Sequence, residues 1–334
     1  MPEQMQAAVI ERHGGPETMV YRTIERPQPG PGEVRLRVRY CGLNALDFFV
    51  RRGVPGIEVE LPHISGGDVV GWVERLGPGV EEAHLGSLCL VDPLIDRAAL
   101  GEDRRGGLAE YVVVPAENLI RLPDSPVAPE LYAALPIAYG TAHRMLFSRC
   151  RLAEGETLVV LGAAGGVGVA CVQLGRRAGA RVIACSTSAA KLQRLRELGA
   201  DILVDTSVSD FSSAVWKATD RVGADVVVDY IGHDTLQQSI RATRLGGRVA
   251  TCGASSGSEA TIDLRYVWGR EISLLGSDGW RRQDLDQLVA LVAAGELAPA
   301  IDSVLPLERA GEAVELVEER RCLGKVIVEV PLAD

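Results

Sequence analysis

Between residues 40 and 50 a thiol, an amide and a carboxylate recur at three-residue spacing, as Cys41, Asn44 and Asp47. Side chains of these types could ligate a metal ion or hold a small molecule by hydrogen bonds. A second cluster needs no side chains at all. Ala163, Ala164, Gly165, Gly166, Val167 and Gly168 follow the apolar run "TLVVLG" and precede the helical pattern "VACVQLGRRAG". Glycines at such a strand-to-helix turn let the backbone approach a pyrophosphate, whose charge is met by free N–H groups and the positive end of the helix. That context raises the sequence above a bare glycine motif, and Ala163 at the usual first-glycine position is a small departure. The plainer alternative is a turn that only packs a helix on a strand.

The next chemistry-bearing stretch lies about 20 residues on, where a site for NAD places an acidic residue against the ribose 2′-hydroxyl. The sequence there is "ACSTSAAKLQR". Ser186, Thr187 and Ser188 offer hydroxyl and N–H groups, Lys191 and Arg194 offer charge for a 2′-phosphate, and no carboxylate stands among them. NADPH is the expected cofactor. Arg194 also reads as a solvated helix face, and Lys191 less so because it falls in the first turn.

These residues must be positioned by two kinds of chain. Residues 1–126 hold short β-rich segments separated by Gly, Pro and Asp turns, the pattern of a small β-rich domain. From Glu154 the pattern becomes "ETLVVLG", "ARVIAC", "DILVD", "ADVVVDYIG" and "GGRVATCG", continuous apolar runs alternating with helical segments, as in a doubly wound parallel sheet. One helix is explicit: Leu192, Leu195 and Leu198 share a face and Gly199 stops it. The expected division is a first domain over 1–126, completed by about 270–334, and a dinucleotide-binding domain over 127–269. The closing strand "GKVIVEV" is expected to return to the first domain.

Composition narrows the partners. Of the 334 residues 47% are hydrophobic and 24% charged, which describes a chain able to bury a core, and the net charge of −10 disfavours nucleic acid and acidic membranes as partners. Seven cysteines without a C-x-x-C pair suit a reducing compartment. The opening "MPEQMQAAVIERHGG" has no charged head followed by an apolar stretch, so a cytoplasmic protein acting on a small molecule is expected.

The stretches "GPGEVRLRVRYCGLNALDFFVRRG", "GWVERLGPGV", "GGLAEYVVVPAENL", "LPIAYGTAHRML", "GAAGGVGVACVQLGRRAGARVIA" and "LGGRVATCGASSG" resemble, over nearly the full length, the medium-chain dehydrogenase/reductase superfamily and its zinc-free, zeta-crystallin-like quinone oxidoreductase branch. The resemblance implies an α/β protein with a GroES-like β-rich catalytic domain and a Rossmann doubly wound parallel sheet, and a homodimer joined through the edge of that sheet. It places Asn44 near the nicotinamide ribose and substrate, Thr141 near the ribose, and Cys252, Gly253, Ala254, Ser255, Leu275, Gly276 and Ser277 beside the nicotinamide. Asn44, Asp47 and Thr141 are the expected catalytic set. A salt bridge between Asp47 and Arg51, four apart on a helix, is an equal alternative to catalysis for Asp47. Tyr139, His143 and Tyr230 are proton-donor candidates by type.

In zinc-dependent members a Cys stands at the position of Asn44 and Gly-His-Glu at that of Gly66-Gly67-Asp68. The third ligand position falls near "LYAALP" and the structural-zinc lobe within "DPLIDRAALGEDRRGG", neither of which has a His or Cys. Zinc needs three or four converging N, S or O ligands. Cys41, His63 and Asp68 could make an improvised set outside the family register; the expectation is no metal, with Cys41 a strand thiol. NADPH-dependent reduction of a quinone or an α,β-unsaturated carbonyl is therefore expected. Zinc-free alcohol oxidation, enoyl-thioester reduction and a non-enzymatic nucleotide-binding role are the alternatives, and the loops at 48–62 and 92–107 leave the acceptor open.

Overall fold

A computed structural model describes residues 3–53, 59–96 and 98–331; the loops at 48–62 and 92–107 therefore lie partly outside the described residues. The chain divides into two compact units, Met1–Ile137 with Leu285–Asp334, and Ala138–Asp284.

In the first unit a seven-stranded sheet runs in the order Ile301–Pro306, Lys325–Glu329, Glu33–Gly42, Asp68–Leu76, Leu88–Val91 and Leu119–Arg121, with Tyr111–Pro115 also pairing Glu33–Gly42. Alternation makes the long strand: Val34, Leu36 and Val38 are fully buried on one face. The closing strand does return here, Val328 lying opposite Cys41 in an antiparallel pair. Leu305, Leu307, Val314, Val326 and Val328 join the same core as Val34, Val69 and Leu43.

The second unit is a six-stranded parallel sheet of Thr157–Val160, Arg181–Ser186, Ile202–Asp205, Ala224–Val228, Thr243–Thr251 and Ser273–Gly276. Numbered along the chain, its strands lie 3-2-1-4-5-6, a doubly wound order whose reversal falls between the first and fourth. Leu158, Val159 and Val160 are all fully buried, as unbroken apolar runs require when helices cover both faces. The helix Ala189–Glu197 buries Leu192 and Leu195 and stops at Gly199, whose φ of +113° favours glycine.

The expected boundaries move. Ser273–Gly276 pairs with Thr243–Thr251 as the sixth strand, so the segment from 270 to 284 belongs to the dinucleotide-type unit rather than completing the first. At the other end the first unit reaches Ile137, because the Ile137 N–H donates to Asp68 Oδ1 at 2.9 Å and the Ala133 carbonyl lies so close to Gly42 that a Cβ there would come within 2.0 Å of it.

Candidate functional site

In the parallel-sheet unit the first strand ends in the glycine turn. Gly162 takes φ +58°, a conformation glycine adopts at no steric cost. Gly165 then caps the helix Gly166–Arg177 without a side-chain partner, which leaves the first N–H groups of the helix without intrahelical acceptors. A Cβ on Gly168 would lie 2.5 Å from the Gly162 carbonyl oxygen and 2.7 Å from both Ala163 Cα and Tyr230 Oη, so the third glycine is required by close packing. Ala163 is tolerated because the left-handed residue is Gly162, one position earlier; Ala163 is fully buried and its N–H donates to the Cys185 carbonyl at 3.0 Å. The Tyr230 hydroxyl donates to the Gly162 carbonyl at 2.7 Å, and burial pushes its pKa well above the ordinary value. Tyr230 braces the turn, and its proton is held there.

The second strand delivers Ser186, Thr187 and Ser188. Ser188 is the N-cap of the next helix, its hydroxyl accepting the Lys191 N–H at 3.5 Å while its own N–H donates to Ser186 Oγ at 3.3 Å. Lys191 is half-buried and Arg194 exposed. Asp205, in register with Ser186 at the end of the third strand, is a carboxylate that the sequence reading passed over. The signal was present, since "DILVD" ends a parallel strand and such ends align. Asp205 accepts the N–H of Ser207 at 2.9 Å and also its hydroxyl, which holds its carboxyl below the ordinary value.

The ends of the fifth and sixth strands come together on the same edge of the sheet. Ser277 N–H donates to the Thr251 carbonyl at 2.9 Å, while Ser255 and Ser256 donate to the Tyr230 and Ile231 carbonyls at 3.1 and 2.8 Å. Thus Leu275, Gly276 and Ser277 lie beside the strand end that leads into Cys252, while Gly253, Ala254 and Ser255 turn towards Tyr230 and Gly232. Ser277 Oγ is buried without a partner among the described residues, a hydroxyl available to a ligand. Thr141 is buried in a short helical turn that continues into His143. His143 Nδ1 lies 2.8 Å from Asp284 Oδ1, a buried pair 141 residues apart in sequence that local patterning could not show. Tyr139, a core residue, hydrogen-bonds through its hydroxyl to Gln173.

The first unit holds the other set. Asn44 is the extended N-cap residue of the helix Ala45–Arg52. The Asp47 carboxylate accepts the Asn44 backbone N–H at 2.8 Å and the Gly66 N–H at 2.7 Å. Each of its oxygens accepts a backbone N–H, so Asp47 braces the start of the helix against the segment at Gly66. The alternative Asp47–Arg51 pair gives way to another: Arg51 Nη2 bonds Glu318 Oε2 on the helix Ala310–Glu318. Cys41 is fully buried in its strand, where burial pushes the thiol well above its ordinary pKa.

Lys325, unsuspected from sequence, reaches into this set from the closing strand. Its Nζ donates to the Leu43 carbonyl at 2.7 Å, to Asn44 Oδ1 at 2.6 Å and to Asp68 Oδ2 at 2.9 Å. Asn44 Nδ2 donates to the same Asp68 oxygen at 2.8 Å. Lys325 is 1% exposed and Asp68 fully buried, so this is an ammonium–carboxylate pair shut away from water with an amide between them.

The chain matches the alcohol dehydrogenase GroES-like domain family over residues 30–124 and the zinc-binding dehydrogenase family over residues 166–294. It is 31% identical to 2-haloacrylate reductase of Burkholderia sp. over 96% of this chain and 98% of that one. With the quinone oxidoreductase of Rattus norvegicus the identity is 28%, over 97% of each. A solved NAD-dependent alcohol dehydrogenase superposes with a TM-score of 0.92 at 39% identity, covering 98% of this chain and all 100% of that one. The chain belongs to the medium-chain dehydrogenase/reductase superfamily, in its quinone oxidoreductase-like branch, a family of oxidoreductases.

Membership raises the question of zinc. A Cβ at Gly67 would sit 2.8 Å from the Leu100 carbonyl oxygen and 3.0 Å from Ile137 Cδ1, which leaves no room for an imidazole. Asn44 has its amide oxygen committed to Lys325, whose fixed positive charge repels a divalent cation. His63 lies 3.3 Å from the Gly101 carbonyl through Nε2, and burial lowers its pKa. Among the described residues no three His, Cys, Asp or Glu side chains converge on a metal-sized space. The residues present do not fit a catalytic zinc.

Proposed function

We propose that this chain is a zinc-independent reductase that uses NADPH to deliver hydride to a quinone or an α,β-unsaturated carbonyl. The carrying observation is the ligand register itself: an amide at Asn44 and a hydrogen at Gly67, with the Lys325 ammonium seated against the Asn44 amide. Without a metal Lewis acid, alkoxide formation from an alcohol loses its usual support. A conjugated acceptor spreads its developing charge over an enolate or hydroquinone oxygen, which ordinary hydrogen-bond donors can meet. When bound, the dinucleotide supplies the hydride. The chain's own contribution is positional. The N–H groups of Gly166 and Val167 meet pyrophosphate charge, Lys191 and the turn of Ser186, Thr187 and Ser188 favour a 2′-phosphate, Ser277 Oγ is a free hydroxyl beside the nicotinamide, and the remaining Asn44 N–H is a donor for the acceptor oxygen.

Relatives support this reading by their names alone, a 2-haloacrylate reductase and a quinone oxidoreductase, while the NAD-dependent alcohol dehydrogenase favours the rival. Asp205 beside Ser186 is the structural feature on the rival's side for cofactor choice. Seven cysteines without a disulfide among them agree with a cytoplasmic setting, and the open edge of Ser273–Gly276, where Leu274 is exposed, suits pairing with a second copy. Among the described residues no helix is long and apolar enough to cross a membrane.

The test is consumption of NADPH against a panel of quinones, enones, enals and enoyl thioesters, with NADP⁺ and NAD⁺ reduction by primary and secondary alcohols in parallel. Turnover of a conjugated acceptor is expected. Good turnover of alcohols with every conjugated acceptor inert hands the assignment to the alcohol dehydrogenase reading.

A further inference from the structure

Chemistry fixes which way the Asn44 amide faces. An ammonium only donates and a carboxylate only accepts, so the contact at 2.6 Å to Lys325 must be made by Oδ1 and the contact at 2.8 Å to Asp68 by Nδ2. Asp68 is itself held in place, since its other oxygen accepts the Ile137 N–H at 2.9 Å. Lys325 in turn spends all three of its protons, on the Leu43 carbonyl, Asn44 and Asp68. These contacts use the Asn44 oxygen and one of its two Nδ2 protons. The second Nδ2 proton remains, on a side chain that can neither rotate nor flip without stranding a buried charge.

We propose that Lys325 is a positioning residue for the reaction: its ammonium, balanced by Asp68, locks and polarises the Asn44 amide so that the second Nδ2–H is presented as a strengthened donor to the substrate oxygen. The inference rests on the reductase reading above and deepens it. Positive charge drawn onto an amide oxygen makes the amide N–H a better donor, because hydrogen bonds in a chain polarise one another. A metal-dependent centre brings its positive charge to the substrate oxygen directly. Here a positive charge of the protein's own acts at one remove, through an amide. Lys325 touches no substrate, so it is not a catalytic residue; it decides where Asn44 points and how strongly it donates.

Lys325→Met alone would leave Asp68 buried and unpaired, so the variant that keeps the fold is Asp68→Asn/Lys325→Met, which removes both charges together. Turnover of a conjugated acceptor, dinucleotide affinity and thermal unfolding are measured for the wild type, Asn44→Ala, the charge-free pair and the triple variant. Loss of one stabilising donor lowers kcat by about 100- to 1000-fold. Asn44→Ala is expected in that range, the charge-free pair within about 3-fold of it, and the triple variant no lower, with any loss of dinucleotide affinity shared by all three variants, because both changes remove one device. A charge-free pair with wild-type kcat, or losses that multiply in the triple variant, overturns the inference.

A readout without turnover separates this from the reductase reading. The side-chain ¹⁵N resonance of Asn44, assigned by its disappearance in Asn44→Ala, is expected downfield of a free amide in the wild type and shifted back in the charge-free pair. Coincident resonances overturn the role of Lys325. A wild-type protein inert towards every conjugated acceptor overturns the reductase reading and leaves the resonance to decide the role of Lys325.

Discussion

Asp47 Oδ1 accepts the Gly66 backbone N–H at 2.7 Å across 19 residues of sequence, fastening the start of the helix that Asn44 caps to the segment leading into Asp68. The pair is buried, and burial outweighs the two N–H donors, raising the Asp47 pKa to about 6 from 3.8. Because the folded-state value lies above the unfolded one, the folded state holds this proton more tightly. The stabilising contribution is therefore full below about pH 4 and is lost as pH rises through 6. Asp47→Asn removes the ionisation and gives up one of the two N–H acceptors, a cost that does not vary with pH. Relative to that variant, the wild type should lose about 3 kcal/mol between pH 4 and pH 7, from about two pKa units at 1.36 kcal/mol each, with no further change above. Urea midpoints across that range check it; a gap independent of pH would show that Asp47 does not titrate there.

Gly168→Ala places a Cβ within 2.7 Å of two backbone atoms of the turn and of the Tyr230 hydroxyl that braces it. The helix must lift from the first strand, and the N–H groups that face a pyrophosphate move with it. Dinucleotide affinity should fall by at least ~10-fold, or about 1.4 kcal/mol, in a fluorescence titration. Unchanged affinity would mean that the turn only packs helix against strand.

Lys191→Ala should weaken NADPH by about 10-fold and leave NADH nearly untouched, since it removes the charge proposed to meet the 2′-phosphate. Equal losses for both cofactors would show that Lys191 does not read the phosphate. If NADH binds the wild type better than NADPH, Asp205 becomes the group to mutate next.

Glu318→Ala leaves the Arg51 guanidinium, 1% exposed, without its carboxylate in the core of the first unit. Removing one member of a buried pair costs about 3–5 kcal/mol. The loss should appear in the denaturation midpoint, and Arg51→Met added to Glu318→Ala should recover part of it. A loss under 1 kcal/mol would show that Arg51 finds water or another partner.

Much of this protein follows from short-range pattern. The glycine turn, the helix stop at Gly199 and the parallel strands were legible because periodicity and turn chemistry act over a few residues. The amide at Asn44 and the hydrogen at Gly67 took their meaning from the resemblance to zinc-dependent members, which places ligands at those positions. Helical spacing pointed Asp47 at Arg51. Tertiary structure instead gave Arg51 to Glu318 and Asp47 to two backbone N–H groups, because burial forces each charged group to the nearest complementary partner that packing supplies. Lys325 met Asn44 across 281 residues, and His143 met Asp284 across 141, for the same reason. Local sequence sets backbone conformation and the face a residue occupies; the partner of a buried polar group is chosen only when distant elements close around it and shut out water.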